Sequence, residues 1–153
     1  MPKLAHAKNL RRGRFSQPEQ IYLVTTVTHN RDPIFRDLYF SRIVATAIAY
    51  RQKHELAYTL AFVLMPDHLH WLFSLGGGKN LSQLMQGFKR HTSQKINRKL
   101  LRKAPIWQAG FHDHALRKEE DVKHAARYIV ANPLRAKIVH HIGDYPHWDA
   151  AWL

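Results

Sequence analysis

In "HLHWLFSL" the side chains sort cleanly into two sets. Leu69, Trp71, Phe73 and Leu75 fall on one side, and His68, His70 and Leu72 on the other. That two-residue period predicts a strand whose faces meet different surroundings. Upstream, "QIYLVTTVTHN" is rich in β-branched and aromatic residues and predicts a strand from about Gln20 to His29. "RDPIF" reads as a turn. From Asp37 to His54 the apolar residues Phe40, Ile43, Val44, Ala47 and Ile48 recur at helical spacing. "ELAYTLAFVLMP" is a further strand, ended by Pro66, and Pro66-Asp67 predicts a tight antiparallel connection to the His-bearing strand.

"GGGKN" then breaks the chain, and Asn80 is placed to cap a helix running to about Lys103, with an apolar stripe of Leu81, Leu84, Met85 and Phe88. "PIWQAGFHDHALR" predicts a fourth strand. "KEEDVKHAARYIVAN" predicts a third helix, with acids in its first turn where the helix dipole favours them. Pro133 should end or kink that helix near Asn132. The tail, "AKIVHHIGDYPHWDAAWL", reads as loop or short helix. Strand, helix, strand, strand, helix, strand, helix is the order of an α+β, ferredoxin-like (RRM-like) sandwich, with an antiparallel sheet and helices packed on one face.

Composition narrows the class. A chain of 153 residues, 45% hydrophobic, fits one domain with a real core. Residues 1–14 form a basic arm ahead of a single domain over 15–153, and are either a disordered arm that touches phosphates or a plain terminus. The formal net charge is +13 and the pI about 10.3, which points to an anionic partner. Nucleic acid is the first reading and an anionic membrane surface the competing one. There is no Cys, so disulfides and thiolate metal sites are excluded. No apolar run of about 18 residues and no export signal is apparent. The expectation is a cytoplasmic, nucleoid-associated protein with no membrane partner.

Imidazoles at positions i and i+2 of a strand lie on one face with Cα atoms roughly 6.5–7 Å apart, close enough to converge on one cation. His68 and His70 are therefore candidate metal ligands, or else hydrogen-bonded strand histidines. With 12 His in the chain the spacing recurs by chance, as His112 and His114 illustrate. A two-His site completed by oxygen ligands suits a hard, exchangeable divalent metal, Mg²⁺ or Mn²⁺. Tyr128 and Asn132, four apart, share a helix face. Asn132 offers a carbonyl oxygen and Tyr128 a phenol that can attack phosphorus. Each also has an ordinary reading, as a packing tyrosine and as a helix C-terminal residue.

"FVLMPDHLHWLF" resembles the HUH motif of single-tyrosine transposases, and "YIVANPLRAKIV" resembles the motif bearing their catalytic tyrosine. "VTTVTHNRDPIF", "LSQLMQGFKR", "IWQAGFHDHALR" and "DYPHW" extend the likeness from about Phe15 to Trp148, and the REP-associated tyrosine transposases, relatives of the insertion-sequence 200-like transposases, are the nearest group. The resemblance implies a ferredoxin-like fold, metal ligation by His68 and His70, Asn132 as third ligand and Tyr128 as nucleophile. It also implies cleavage of single-stranded DNA beside hairpins, through a 5′-phosphotyrosine link that frees a 3′-hydroxyl. Some relatives carry longer tails than this chain has after Trp148.

From Lys79 to Lys103 there are eight Lys or Arg and no acid. Such a run predicts phosphate contact by Lys89, Arg90, Lys95, Arg98, Lys99 and Arg102. Arg117, Arg127 and Arg135 are candidate phosphate ligands near Tyr128. Trp107, Phe111, Trp148 and Trp152 are candidates for stacking on bases. The leading reading is an enzyme that transfers strands of single-stranded DNA with hairpin structure, as a monomer or homodimer. The alternatives are a non-catalytic single-stranded nucleic-acid-binding module on the same fold, and a metal hydrolase in which water attacks.

Overall fold

The computed structural model describes residues 19–136 and 148–150, and the side chains of Arg135 and of residues 148–150 are outside the description. The elements in chain order are β1 (Ile21–Val27), α1 (Leu38–Lys53), β2 (Ala57–Met65), β3 (His68–Leu75), α2 (Leu81–Leu100), β4 (His112–Leu116), α3 (Glu119–Val130), the short α4 (Asn132–Arg135) and β5 (Trp148–Ala150). Single 3-10 turns lie at His29–Arg31 and Ile34–Arg36. The five strands form one sheet in the order β4-β1-β3-β2-β5, antiparallel at each junction.

The helix ends follow from local chemistry. The Asp37 carboxylate accepts from the N–H groups of Tyr39 and Phe40 and starts α1. Asn80 and Gln83 form a reciprocal capping box at the start of α2, as the sequence predicts. Leu101, at φ 54°, closes that helix in the left-handed conformation. Glu119, Glu120 and Asp121 occupy the first turn of α3, where negative charge is favoured. The helix stops at Val130, and a second short helix begins at Asn132. Pro133 has no N–H to continue the ladder, which accounts for the break.

The alternation of each strand sends two apolar sets to opposite sides of the sheet. On one side Tyr22, Val24, Leu69, Trp71 and Phe73 pack with Val44 and Ala47 of α1 and with Leu84, Met85 and Phe88 of α2. This is the expected sandwich, with two long helices on one face. On the other side Ala61, Val63, Met65, Leu72 and Leu116 pack with Val122, Ala125, Ala126, Ile129 and Val130 of α3. The α3 stripe repeats at three- and four-residue spacing, so one narrow face of that helix is apolar. The tyrosine-bearing helix therefore lies on the face that carries His68 and His70.

Two elements differ from the sequence expectation. The fourth strand is shorter, His112–Leu116, because Gly110 at φ 78° takes the chain out of extended conformation. Trp107 rejoins the sheet by a single bridge to Thr28. In the tail, Trp148–Ala150 is a strand paired with β2, where loop or short helix was expected. The outer edge of β2 offers backbone groups that a passing segment can pair. The remainder of the tail and the basic arm lie outside the described residues. Ile129, fully buried under α3, should fasten this helix to the sheet. Ile129→Ala is expected to cost about 2–5 kcal/mol, read as a lower urea midpoint with an unchanged slope.

Candidate active site

The Pro66–Asp67 connection joins β2 to β3 with Met65 directly opposite His68 and Val63 opposite His70. Both β2 partners belong to the apolar set that holds α3. The two imidazoles thus emerge from the sheet at the margin of that cluster. Their ring centroids are 4.8 Å apart, edge to face. His68 keeps about a fifth of its side-chain surface open to solvent.

Each ring is held at Nδ1. His68 Nδ1 is 2.7 Å from Asp67 Oδ1. A carboxylate only accepts, so this nitrogen carries the proton and Nε2 carries the lone pair. Asp67 is fixed in turn by Arg31, whose Nη1 lies 3.1 Å from Oδ2. Arg31 and its neighbour Asn30 adopt left-handed φ values of 52° and 54°. The backbone N–H of Thr28 donates to the Asp67 carbonyl at 2.9 Å, which clamps the turn to the end of β1. Burial pushes the Asp67 carboxyl upward, but the hydrogen bonds and charges of His68 and Arg31 outweigh it and hold the group below its ordinary 3.8. His70 Nδ1 is 2.8 Å from Thr25 Oγ1, across the β1–β3 pair. The hydroxyl can donate or accept here, so this contact fixes the orientation of the His70 ring.

Outer partners of this kind, a carboxylate and a hydroxyl on Nδ1, orient metal-binding imidazoles and raise their basicity. Among the described residues no group of three His, Cys, Asp or Glu could hold an ion. The neutral oxygen of an Asn is a fitting companion to two imidazoles on a hard cation. The residues present fit such an ion.

Tyr128 is 55% exposed and stands clear of the hydrophobic interior. It lies on the flank of α3, beside the buried stripe of Ala125 and Ile129. Asn132 is half-buried and opens the next short helix, so the expected single helix face is interrupted at Ala131. Ala131 remains right-handed, at φ −77° and ψ −4°. The short helix touches β2, the strand beside the His pair.

The expected phosphate contacts divide between the two layers. Arg127 is exposed on α3, and Arg117 is exposed just after β4. Arg90, Lys95, Arg98, Lys99 and Arg102 are exposed on or just beyond α2, behind the sheet from the His pair. Lys95, Arg98 and Lys99 line a groove with Tyr39, Arg42 and Thr46 of α1. Lys89 differs: its ammonium donates to the carbonyls of Gln108 and Gly110 and ties that loop to α2. Trp107 and Phe111, candidate stacking residues by sequence, are buried in the core. Trp107 donates to Thr92 Oγ1 at 2.9 Å and packs on Phe35. The side chains of Arg135 and Trp148, and all of Trp152, are outside the described residues.

Three residues of the site were given no role of their own by the sequence, although each lies in a quoted motif: Thr25, Arg31 and Asp67. Asp67 adjoins His68 and was read from the sequence as a turn residue alone. Thr25 and Arg31 come from elsewhere in the chain, through the register of β1 and a left-handed turn.

A family model described as "Transposase IS200 like" matches residues 16–132. The chain is 27% identical over 139 residues to a Haemophilus influenzae chain assigned to the REP-associated tyrosine transposases, covering 83% of this chain and 77% of that one. It is 30% identical over 96 residues to the REP-associated tyrosine transposase of Escherichia coli, covering 60% of this chain and 55% of that one. A solved structure of a REP-associated tyrosine transposase bound to a REP hairpin superposes with a TM-score of 0.74 at 24% identity, covering 88% of this chain and 79% of that one.

Folding lowers the Asp67 carboxyl pKa, so its contribution to stability is present above the ordinary value of 3.8 and is lost as pH falls through the lower folded value. Asp67→Asn should therefore be less stable than the parent chain at neutral pH, with the gap closing in strong acid. Denaturant titrations at a series of pH values check this. A gap that widens toward acid would reverse the assignment.

Proposed function

The chain belongs to the IS200-like transposase family, and from that premise we propose that it cleaves and rejoins single-stranded DNA beside hairpin-forming repeats, with a divalent metal and a 5′-phosphotyrosine intermediate. The observation that carries the reading is the docking of α3, with its exposed Tyr128, on the sheet face that bears His68 and His70. The hairpin-bound relative has the same fold, and the charge of +13 suits a polyanionic substrate.

His68, His70 and Asn132 would hold Mg²⁺ or Mn²⁺. When bound, such an ion supplies charge neutralisation to the oxygens of the scissile phosphate. Asp67 keeps the His68 imidazole in one tautomer, and Asp67 and Thr25 keep the two rings in one orientation. The Tyr128 phenol loses its proton, and its oxygen bonds to phosphorus. The bond from phosphorus to the sugar 3′-oxygen breaks, and that oxygen takes up a proton as the new 3′-hydroxyl. A phenol, with a pKa of about 10, is a better leaving group than an alcohol. A 3′-hydroxyl from another strand can therefore attack the same phosphorus and release Tyr128, so the backbone is rejoined without an external energy source. Arg127, beside the nucleophile, and Arg117 and Arg135 are placed in sequence to take flanking phosphates. The basic layer formed by Arg90, Lys95, Arg98, Lys99 and Arg102 steers DNA to the protein and adds salt-dependent affinity.

Incubation with a labelled hairpin oligonucleotide bearing single-stranded flanks, with Mn²⁺, should give a denaturant-resistant protein–DNA adduct and a fragment with a free 3′-hydroxyl. Tyr128→Phe should lose the adduct by at least about 10³-fold while binding the oligonucleotide as before, since nucleophile loss removes the covalent route. His68→Ala should lose cleavage and keep the fold, because the position is partly open to solvent. Binding without any cleavage by the parent chain would point to a non-catalytic module instead. Cleavage without an adduct would point to attack by water.

A further inference from the structure

The edge of the sheet beyond β1 carries two polar side chains that are in step with the two histidines. His112 pairs with Thr25, and Thr25 pairs with His70. The N–H of Gln108 donates to the Val27 carbonyl at 2.8 Å, beside the Thr28–Trp107 bridge. Gln108 thus stands opposite Val27, which in turn pairs with His68. Residues in register across a sheet project to the same face. Gln108 therefore falls in the row of His68, and His112 in the row of His70, each two strands away. Strand spacing of about 4.8 Å puts both roughly 10 Å from the histidines.

Both residues are exposed, whereas Trp107, Phe111 and Asp113, the residues next to them in sequence, are buried. The segment is not a loose loop. Between the two rows β1 advances two residues, from Val27 to Thr25, while the edge advances four, from Gln108 to His112. The extra residues form a bulge with Gly110 at φ 78°. Lys89 holds the bulge by the carbonyls of Gln108 and Gly110. Trp107 anchors its near end to Thr92 in the core. A bulge fixed at both ends re-aims side chains without losing rigidity. An amide and an imidazole so presented offer donor and acceptor groups suited to the edge of an unpaired base.

We propose that Gln108 and His112 form a base-reading shelf for an unpaired nucleotide that flanks the scissile phosphate. The inference rests on the proposed DNA strand transfer, since it gives the shelf its substrate. The shelf reads one or two bases by hydrogen bonds, whereas the arginines and lysines contact phosphates and carry no sequence information. Thr25 lies between His112 and His70 and sets the distance from shelf to histidine.

The test uses the full chain with Tyr128→Phe, which removes cleavage from the readout, and a hairpin oligonucleotide pool whose single-stranded flanks are randomised. Bound and unbound pools are sequenced. The chain should enrich particular bases at one or two adjacent flank positions by about tenfold, the discrimination that one good side-chain–base contact supplies. Adding Gln108→Ala and His112→Ala should flatten those positions alone, with total binding at low salt and the thermal melting curve unchanged. Lys99→Ala serves as the contrast: it should weaken binding to all sequences alike and leave the preferences intact. Preferences that survive the double substitution would overturn the shelf, as would an absence of any flank preference in the starting chain. Failure of the parent chain to form an adduct would sink the proposed chemistry without touching this result, because the selection needs only binding.

Discussion

The two-residue connection at Pro66–Asp67 is the constraint on which the site depends. It sets Met65 against His68 and Val63 against His70. Strand side chains alternate, so a slip of one residue would exchange the faces. His68 and His70 would then point into the layer now filled by Leu69, Trp71 and Phe73. The turn is held from outside, by the Thr28 N–H on the Asp67 carbonyl and by the Phe35 N–H on that of Pro66. The same residue that closes the turn supplies the carboxylate that orients His68. Register, turn and the orientation of the His68 ring are therefore fixed together.

The sheet divides the molecule into a structural side and a chemical side. Behind it, α1 and α2 bury the larger aromatic core and turn a basic surface outward. In front, a smaller aliphatic cluster holds α3 by a narrow stripe containing two alanines. Small side chains bring a helix close to the sheet and leave its flanks uncovered, and Tyr128 stands on such a flank. A side chain carried this way is located by packing yet remains reachable from solvent. The greater share of predicted phosphate contacts lies behind the sheet, out of direct reach of the histidines. In the proposed reaction they would attract and retain DNA, and orientation at phosphorus would be left to the few groups on the front.

Much of this was legible in the order of residues. The period of "HLHWLFSL", the cap at Asn80, the acids opening α3 and the break before Pro133 each depend on neighbours within a few positions, and the structure bears each of them out. The alternation likewise separated His68 and His70 from Leu69 and Trp71. Trp107 and Phe111 were open to either base stacking or packing, and they pack, because nothing local records that α2 and α1 close over them. Lys89 looked like one more cation in a basic run, yet the loop it anchors approaches only through the fold.

The sequence by itself determined the two long helices, α3 and the first three strands, which face of β3 bears imidazoles, and a strongly basic surface, since these follow from short-range geometry and from net charge. Only the tertiary structure decided on which side of the sheet α3 would lie, that Thr25 and Asp67 would each take one Nδ1, and that Gln108 and His112 would align with the histidine rows. Those are contacts between residues tens of positions apart. They depend on strand order, register and the closing of two separate apolar clusters, all of which the chain settles only when it folds as a whole.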